Sequence, residues 1–428
     1  DFEQVYNATD YDESYVVPKK LLRITGIQMV DSYSKFVRSC LDIFYWFEFA
    51  NLLWVVPSEF LGIVTVASNA GSFDEAIGVF RMVPCMGSSI LALFKSFIMV
   101  YNRPVYENLV MELRSMWPRG AVSESEHRII QGALTHLNII VKGSYFWCNN
   151  VLLISFLAPP FFITAGRYLG YDLPMNLHFL YWLPFDPIQP VYYEIMLVMQ
   201  TWHALVVIYW NVSWDMMFCT FICHITIQFD LLAMRIQRLF HVKMDRQLPE
   251  SFPLTSISEE LIMDNGDTEQ DWDIRNQKEL ADIVLRHQDL IRLSTDVEAI
   301  FSLALLINFM NGSVIICFCG FCSVVIEKWN DVAYKSFLLT TLSQTWLLCW
   351  HGQKLIDSSL GVSDSLYNCG WYEASTVIKK SVLIMLQRAQ KQVNVTTYGF
   401  SAISLASFNS IVKTSWSYFT LILNAYQK

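Results

Sequence analysis

The sequence predicts an all-α membrane protein of seven transmembrane helices, with a cytoplasmic amino terminus, an extracellular carboxyl terminus and amphipathic anchor helices on the cytoplasmic side. Three observations carry this prediction. Only 16% of the 428 residues are charged, while 54% are hydrophobic and 15% aromatic; a soluble chain carries about 25% charged residues. Seven stretches stay apolar over the roughly 20 residues that a helix needs to cross the hydrocarbon core. Lysines and arginines crowd alternate connecting segments, as they do in loops retained in the cytoplasm.

The first segment, 1–40, begins DFEQVYNATDYDESY. It is acidic and polar, with no basic start leading into an apolar run, so the first span is expected to insert by itself. The spans follow near 41–67, 75–100, 143–166, 191–218, 299–326, 336–357 and 399–425. Helix is the form they take, because lipid offers no partner to open backbone groups and the runs lack the alternation of a barrel strand. A low count of 13 Pro and 17 Gly, with no linker-like stretch, favours one membrane domain over several soluble ones.

Basic residues set the direction. Lys19, Lys20, Arg23, Lys35 and Arg38 precede the first span, and Arg103, Arg114, Arg119 and Arg128 follow the second. Arg235, Arg238, Lys243, Arg246, Arg275, Lys278 and Arg286 follow the fourth, and Lys379, Lys380, Arg388 and Lys391 the sixth. The alternate segments hold none near 68–74, Arg167 in the next, and Lys328 and Lys335 in the third. Sequons at Asn7 and Asn394 therefore fall on the cytoplasmic side, and those at Asn211 and Asn311 inside spans, so none should be modified. This threading is opposite to that of a G-protein-coupled receptor.

The cytoplasmic parts are 1–40, the segment near 101–140, 235–298 and 358–398. Acidic 243–285 reads as a mobile loop. From 277 to 297, Leu280, Ile283, Val284, Ile291 and Leu293 recur at helical spacing, and over 373–391 so do Val377, Val382, Leu383 and Leu386. Both read as amphipathic helices that pack on partner helices beneath the membrane.

Polar residues inside spans are costly and so informative. In the last span Asn409, Lys413, Ser417, Thr420 and Asn424 are 4, 4, 3 and 4 residues apart and share one stripe. Lys413 argues for a water-filled path rather than packing alone. Glu48, Glu59, Glu194 and Asp215 lie in or at the ends of spans; Glu59 and Glu194 read as interfacial, while Lys413, Lys142 and Arg81 are the candidate partners for the rest. Between 41 and 234 the outer halves of spans two to four carry Phe80, Met86, Phe156, Phe161 and Phe162, then Tyr193, Met196, Met199, Gln200 and His203. Span six, within 299–357, adds Phe337, Thr340, Thr341 and Gln344. Apolar walls with a few polar groups suit a small, mostly hydrophobic ligand, aromatic or heteroaromatic ones slightly above others. His203 alone reads as a hydrogen-bonded structural group.

Several functions are excluded. A net charge of −9, carried by polar loops, argues against nucleic acid. Cys85, Cys148, Cys219, Cys223, Cys317, Cys319, Cys322 and Cys349 lie in apolar runs, and helical spacing spreads Cys317, Cys319 and Cys322 over different faces, so neither a disulfide framework nor a metal site is expected. No nucleophile–base pair, phosphate loop or zinc motif occurs, so neither a catalytic residue nor a cofactor is expected and the chain is read as a non-enzyme.

The run LLCWHGQKLIDSSLGVSDSLYNCGWYEAS (347–375), the ending SYFTLILNAYQK (417–428) and the outer segment LPMNLHFLYWLPFDPIQPVYYEI (173–195), with Pro184, Phe185 and Asp186, resemble the insect odorant receptor family. The resemblance is to its divergent, ligand-binding subunits rather than to the shared co-receptor. It implies an odorant-gated non-selective cation channel, assembled as a heterotetramer with the co-receptor in the plasma membrane of a sensory dendrite, with a small volatile odorant and membrane lipid as its other partners. It also implies an anchor domain built from the cytoplasmic helices, and a pore lined by 399–428. There the gate falls at Leu421 and Ala425 and a polar ring at Asn424, with Thr420, Ser417 and Lys413 below. Lys413 suits a cation path only if fewer than four copies line the pore or if it turns into a subunit interface. A gustatory-type homotetrameric channel is the alternative; a transporter would need internal repeats and broken helices, and neither is found.

Overall fold

The computed structural model describes residues 4–29, 34–69, 71, 73–171, 177–189, 191–240, 269–325 and 331–426. A short strand β1 (Gln4–Tyr6) and helices α1 (Ala8–Glu13) and α2 (Val16–Ile24) lead into α3 (Lys35–Asn69), α4 (Phe73–Tyr101) and α5 (Arg103–Met116). Strand β2 (Gly120–Val122) precedes α6 (Glu124–Leu152), which passes through a π turn at Leu153–Leu157 into α7 (Ala158–Tyr168). Then come α8 (Tyr192–Gln237), α9 (Glu269–Val325), α10 (Asp331–Asn368), α11 (Thr376–Ala389) and α12 (Leu405–Tyr426). Seven long helical bodies result, α6 and α7 counting as one.

Among the described residues, Lys35–Asn69, Met82–Tyr101, Glu124–Tyr168, Tyr192–Gln237 and Asp273–Val325 are long and apolar enough to cross a membrane. The remaining two, α10 and α12, carry more hydroxyl and amide side chains within their runs. The most buried of the five is α8; it packs against α2, α4, α6, α9 and α10 and forms the axis of the bundle. Pro57 and Pro84 sit inside α3 and α4. The π turn falls just before Pro159 and Pro160, whose rings cannot take the usual bonded place in a helix.

The helices outrun the hydropathy. Helix α9 is 57 residues, about 85 Å, so the expected boundary between an amphipathic helix at 277–297 and a span at 299–326 is not a break. No proline or glycine interrupts it before Gly312. Residues 269–285, read as part of a mobile loop, are its first turns, and 243–268 lie outside the described residues. The sixth span extends as helix to Asn368, and the polar segment 101–140 folds into α5 and the first half of α6. Polarity marks where lipid ends, whereas a helix ends only where its backbone bonding does.

Those extensions build the end of the bundle away from the cavity. Its core is aromatic: Trp214, Phe218, Phe221 and Tyr106 gather around Phe301, with ring centroids 4.8 to 6.1 Å from it. The acidic amino-terminal segment belongs here too. Tyr11 and Tyr15 are buried, the Tyr11 hydroxyl donates to the Val110 carbonyl at 2.9 Å, and Ser14 Oγ lies 2.8 Å from His224 Nε2. Burial pushes both phenols above the ordinary tyrosine range, so they stay neutral hydrogen-bonding groups. Strand β1 pairs antiparallel with β2 and closes this end. Helix α11 buries Ile378, Val382, Met385 and Ala389 against its neighbours while Val377, Leu383 and Ile384 remain exposed.

Candidate functional site

At the other end of the bundle α4, α6, α8, α9 and α10 part around a cavity of about 730 Å³. Its floor is an ion pair. Lys95 Nζ lies 2.8 Å from Asp215 Oδ1, Gln344 of α10 donates to the other carboxylate oxygen, and the ammonium stands 4.7 Å above the Trp214 ring. The Lys95 side chain is 0% exposed. A charge in such a place persists only when it is paired and hydrogen-bonded, and three helices supply the pairing. Asp215 thus finds its cation in Lys95, which lies within the second span's own apolar run, and not in Lys413 or Lys142; the side chain of Arg81 lies outside the described residues.

The roof is the segment 177–183 laid back over α8. The backbone amides of His178 and Phe179 donate to Gln200 Oε1 at 2.9 and 3.1 Å, and Gln200 Nε2 donates to the Phe179 carbonyl at 2.9 Å. Tyr181 Oη and His203 Nδ1 are 2.6 Å apart, while His203 Nε2 lies 3.3 Å from Ser89 Oγ. Phe156, Phe179 and Tyr181 stack in sequence above the opening. Farther along α3, Ser58 bonds the Trp182 backbone, and Glu48 accepts from Trp202 Nε1 at 2.8 Å. Glu59 is buried within the bundle. In the wall, Trp147 Nε1 donates to Thr340 Oγ1 at 2.7 Å and ties α6 to α10.

Of the residues expected from sequence, the fold brings Phe156, His203, Phe337, Thr340, Thr341 and Gln344 to this cavity. Gln200, Tyr193 and Met196 are buried above it, and Met86 is half-buried; none of the four lines it. Phe161 and Phe162 are each 68% exposed and Met199 44%, so they face away from the bundle. The side chain of Phe80 lies outside the described residues. Sequence reasoning flagged Asp215 without assigning it to the cavity, and missed Asn211, Asn308 and Asn311 in the wall and Phe408, which α12 contributes. It followed aromatic density in the outer halves of spans, whereas the cavity reaches deeper. Mid-span amides at 211, 308 and 311 were the available signal.

Helix α12 lies along α9. Phe408 and Ile411 pack on the main core, and Phe419, Ile422 and Leu423 pack on Phe321 and Cys322. The opposite face is left outward: Asn409, Lys413, Ser417, Leu421, Asn424 and Ala425 are exposed and Thr420 is half-buried. Ser417 and Thr420 spend their hydroxyls on the carbonyls of Lys413 and Ser417. Just before the helix, the Ile403 carbonyl meets α10 at Gly352, where a Cβ would stand 2.4 Å from that oxygen. Thr396 bonds Glu298 of α9 through both its backbone amide and its hydroxyl. Cys317, Cys319 and Cys322 are buried thiols outside any disulfide, and no metal-binding cluster occurs among the described residues.

Comparison with known proteins places these features. The family model described as 7tm Odorant receptor matches residues 76–416. Odorant receptor 67c of Drosophila melanogaster is 26% identical over 390 residues, 90% of this chain and 88% of that protein. Odorant receptor 85c of the same organism is 25% identical over 406 residues, 93% and 95% of the two chains. The solved structure of the insect olfactory receptor OR5 from Machilis hrabei superposes with a TM-score of 0.77 at 15% identity, covering 98% of this chain and all of that one. The same receptor in complex with eugenol superposes with a TM-score of 0.75, also at 15% identity, covering 97% of this chain and all of that one.

Proposed function

The chain belongs to the odorant receptor family, and from that premise we propose that it is the odorant-binding subunit of a ligand-gated, non-selective cation channel that works as a heterotetramer with a shared co-receptor in the plasma membrane. A small volatile molecule enters the 730 Å³ cavity, and α12 lines the pore with Lys413, Ser417, Thr420 and Asn424, gated at Leu421 and Ala425. A relative in fold was solved with eugenol, a molecule of the size and character that such an apolar cavity takes. The distribution of lysine and arginine supports an inward amino terminus, and the exposed apolar residues of α11 support an anchor domain that joins subunits. The chain is not an enzyme.

One observation carries the gating step: Phe408, on the pore helix, is part of the cavity wall. A ligand that fills the cavity therefore touches α12 directly. It opens the pore to the extent that it binds the open arrangement more tightly than the closed one. Mutating Phe408→Ala tests this. Ligand-evoked current in cells that also express the co-receptor should fall by at least tenfold, while ligand-induced thermal stabilisation of the purified protein changes less than threefold in midpoint concentration. Equal losses in both readouts would assign Phe408 to binding alone. Current from this chain expressed without the co-receptor would favour the gustatory-type homotetramer instead.

A further inference from the structure

The lining of the cavity is uneven in its exposure. Along α4, α8 and α9, and beneath the roof at Phe156 and Phe179, the lining residues are buried or half-buried. The exposed ones are Ile139, Gly143 and Trp147 on α6 and Leu339, Ser343 and Trp346 on α10. Spacings of three or four residues put each set on one face of its helix. The chamber thus reaches the outside of the bundle along one side, between these two helices.

Helices α6 and α10 each pack along α8 and run antiparallel to each other. Trp147 Nε1 donates to Thr340 Oγ1 at 2.7 Å, and about three turns earlier on α6 the His136 ring lies 5.9 Å from that of Trp350. These two contacts frame a slot roughly 16 Å long. Ile139 and Gly143 form one edge, Ser343 and Trp346 the other. Its middle is left to the two smallest side chains, and a Cβ added at Gly143 would meet nothing within 4 Å.

The rim is mostly apolar and aromatic. Gly143, Trp147, Leu339, Ser343 and Trp346 fall in runs expected to lie in the membrane, and Phe146 beside them is exposed as well. Such surface is favourable in hydrocarbon and costly in water. Lys142 is exposed next to Gly143, and its long stem can carry the ammonium to the headgroups. At the roofed end the chamber is shut by buried groups: Gln200 holds the Phe179 amide, and His203 holds Tyr181.

We infer that ligands reach the cavity sideways, from the hydrocarbon of the bilayer, through the slot between α6 and α10, so that the class admitted is compact, uncharged and membrane-partitioning. A small aromatic molecule is on the order of a hundredfold to a thousandfold more concentrated in hydrocarbon than in water, which makes the bilayer the richer reservoir. A charged relative of the same size stays in water and meets the roof. The inference rests on the cavity being the ligand site, and it adds the route and the ligand class that this route passes.

The test uses the full chain co-expressed with a co-receptor subunit, with the most potent of a panel of small aromatic volatiles, eugenol among them, as the probe. A side chain standing in the route slows entry and exit alike and leaves the equilibrium between bound and free unchanged. Gly143→Phe, which projects into open space, and Ser343→Phe on the facing helix should each slow both the onset of current under rapid perfusion and its decay on washout by roughly tenfold, with the half-activating concentration within about threefold of native. Surface labelling normalises expression, and Gly143→Leu takes the place of the larger side chain if that variant stays inside the cell. Native rates in these variants, or a rise in half-activating concentration that matches the loss of onset rate, would overturn the route.

A second measurement needs no agonist. With Cys40→Ser as background, Ser343→Cys in the purified complex in phosphatidylcholine nanodiscs should react at least about tenfold faster with a pyrene maleimide dissolved in the bilayer than with a sulfonated maleimide in water, and Leu180→Cys in the roof should show the opposite preference. If Ser343→Cys prefers the water-borne reagent, or reacts with neither because another subunit covers it, the slot does not open to lipid and the proposal falls. Thr341→Trp, or Val207→Phe where the first is poorly expressed, fills the chamber and should silence the probe at native surface level. If both leave the response as it was, the cavity reading itself fails. If they silence it while Gly143→Phe and Ser343→Phe keep native rates, the cavity stands and the lateral route is overturned.

Discussion

Lys95 and Asp215 are a pair whose value lies in neither member alone. Each is a charge in an apolar run, and each is tolerable because the other stands 2.8 Å away with Gln344 satisfying the second carboxylate oxygen. Removing one partner of such a pair costs about 3 to 5 kcal/mol, since the charge left behind has no water to turn to, whereas replacing both with apolar groups of similar size is close to neutral. Lys95→Met should therefore lower the melting temperature of the detergent-purified chain and deplete it from the cell surface. The double variant Lys95→Met with Asp215→Leu should recover most of both, as read by fluorescence-detected size exclusion after heating. A single variant as stable as the double one would show that the two residues do not interact. The sequence flagged Asp215 but passed over Lys95. A partner is chosen by the register of α4 against α8, and no one-dimensional pattern carries that register.

Helices existed where the hydrophobic runs placed them, but where they stopped was hidden. All seven spans correspond to long helices, and the buried positions Leu280, Ile283, Leu293 and Val382 were readable from period alone. The continuity of α9 was not, because the loss of hydropathy at 297 reflects a change of solvent around an unbroken backbone. The amino-terminal helices were missed for a related reason: α1 and α2 run only 6 and 9 residues, and they owe their stability to Tyr11, Tyr15 and Leu21 docking on helices far off in sequence. For α12, the stripe and its outward exposure were foreseeable, but its seat was not. That seat is Gly352 against the Ile403 carbonyl. In Gly352→Ala the new methyl would lie 2.4 Å from a backbone oxygen, so the entry to α12 has to shift. Ligand-evoked current should fall more than tenfold with surface level within twofold of wild type. Gly361→Ala, on the same helix with nothing within 4 Å, should behave as wild type. On the other face of α12, Asn424→Asp and Leu421→Ala should alter relative cation permeability or conductance; identical permeation in all such variants would remove α12 from the pore.

At the scale of the molecule the question is which way the bundle is threaded, because direction decides whether the cavity end meets odorant and the other end meets partner subunits. The bundle itself has two unlike ends. One carries the 177–189 segment folded over the cavity, and the other carries α1, α2, α5 and α11 with most of the basic residues. Retention of basic loops predicts that the second end faces the cytoplasm. Cysteine labelling can decide this with little background. Among the described residues Cys40 is the one exposed free thiol, and it belongs to the end expected inside. A membrane-impermeant maleimide should therefore leave intact cells expressing the native chain unlabelled, label Phe185→Cys on intact cells, and label Lys380→Cys only after permeabilisation. Endoglycosidase should also leave the native mobility unchanged, since two sequons sit in spans and two at the sheltered end. If Lys380→Cys is labelled from outside and Phe185→Cys is not, the threading is reversed. Helix α12 would then end in the cytoplasm, and a cavity reached from outside could not be the one roofed by 177–183.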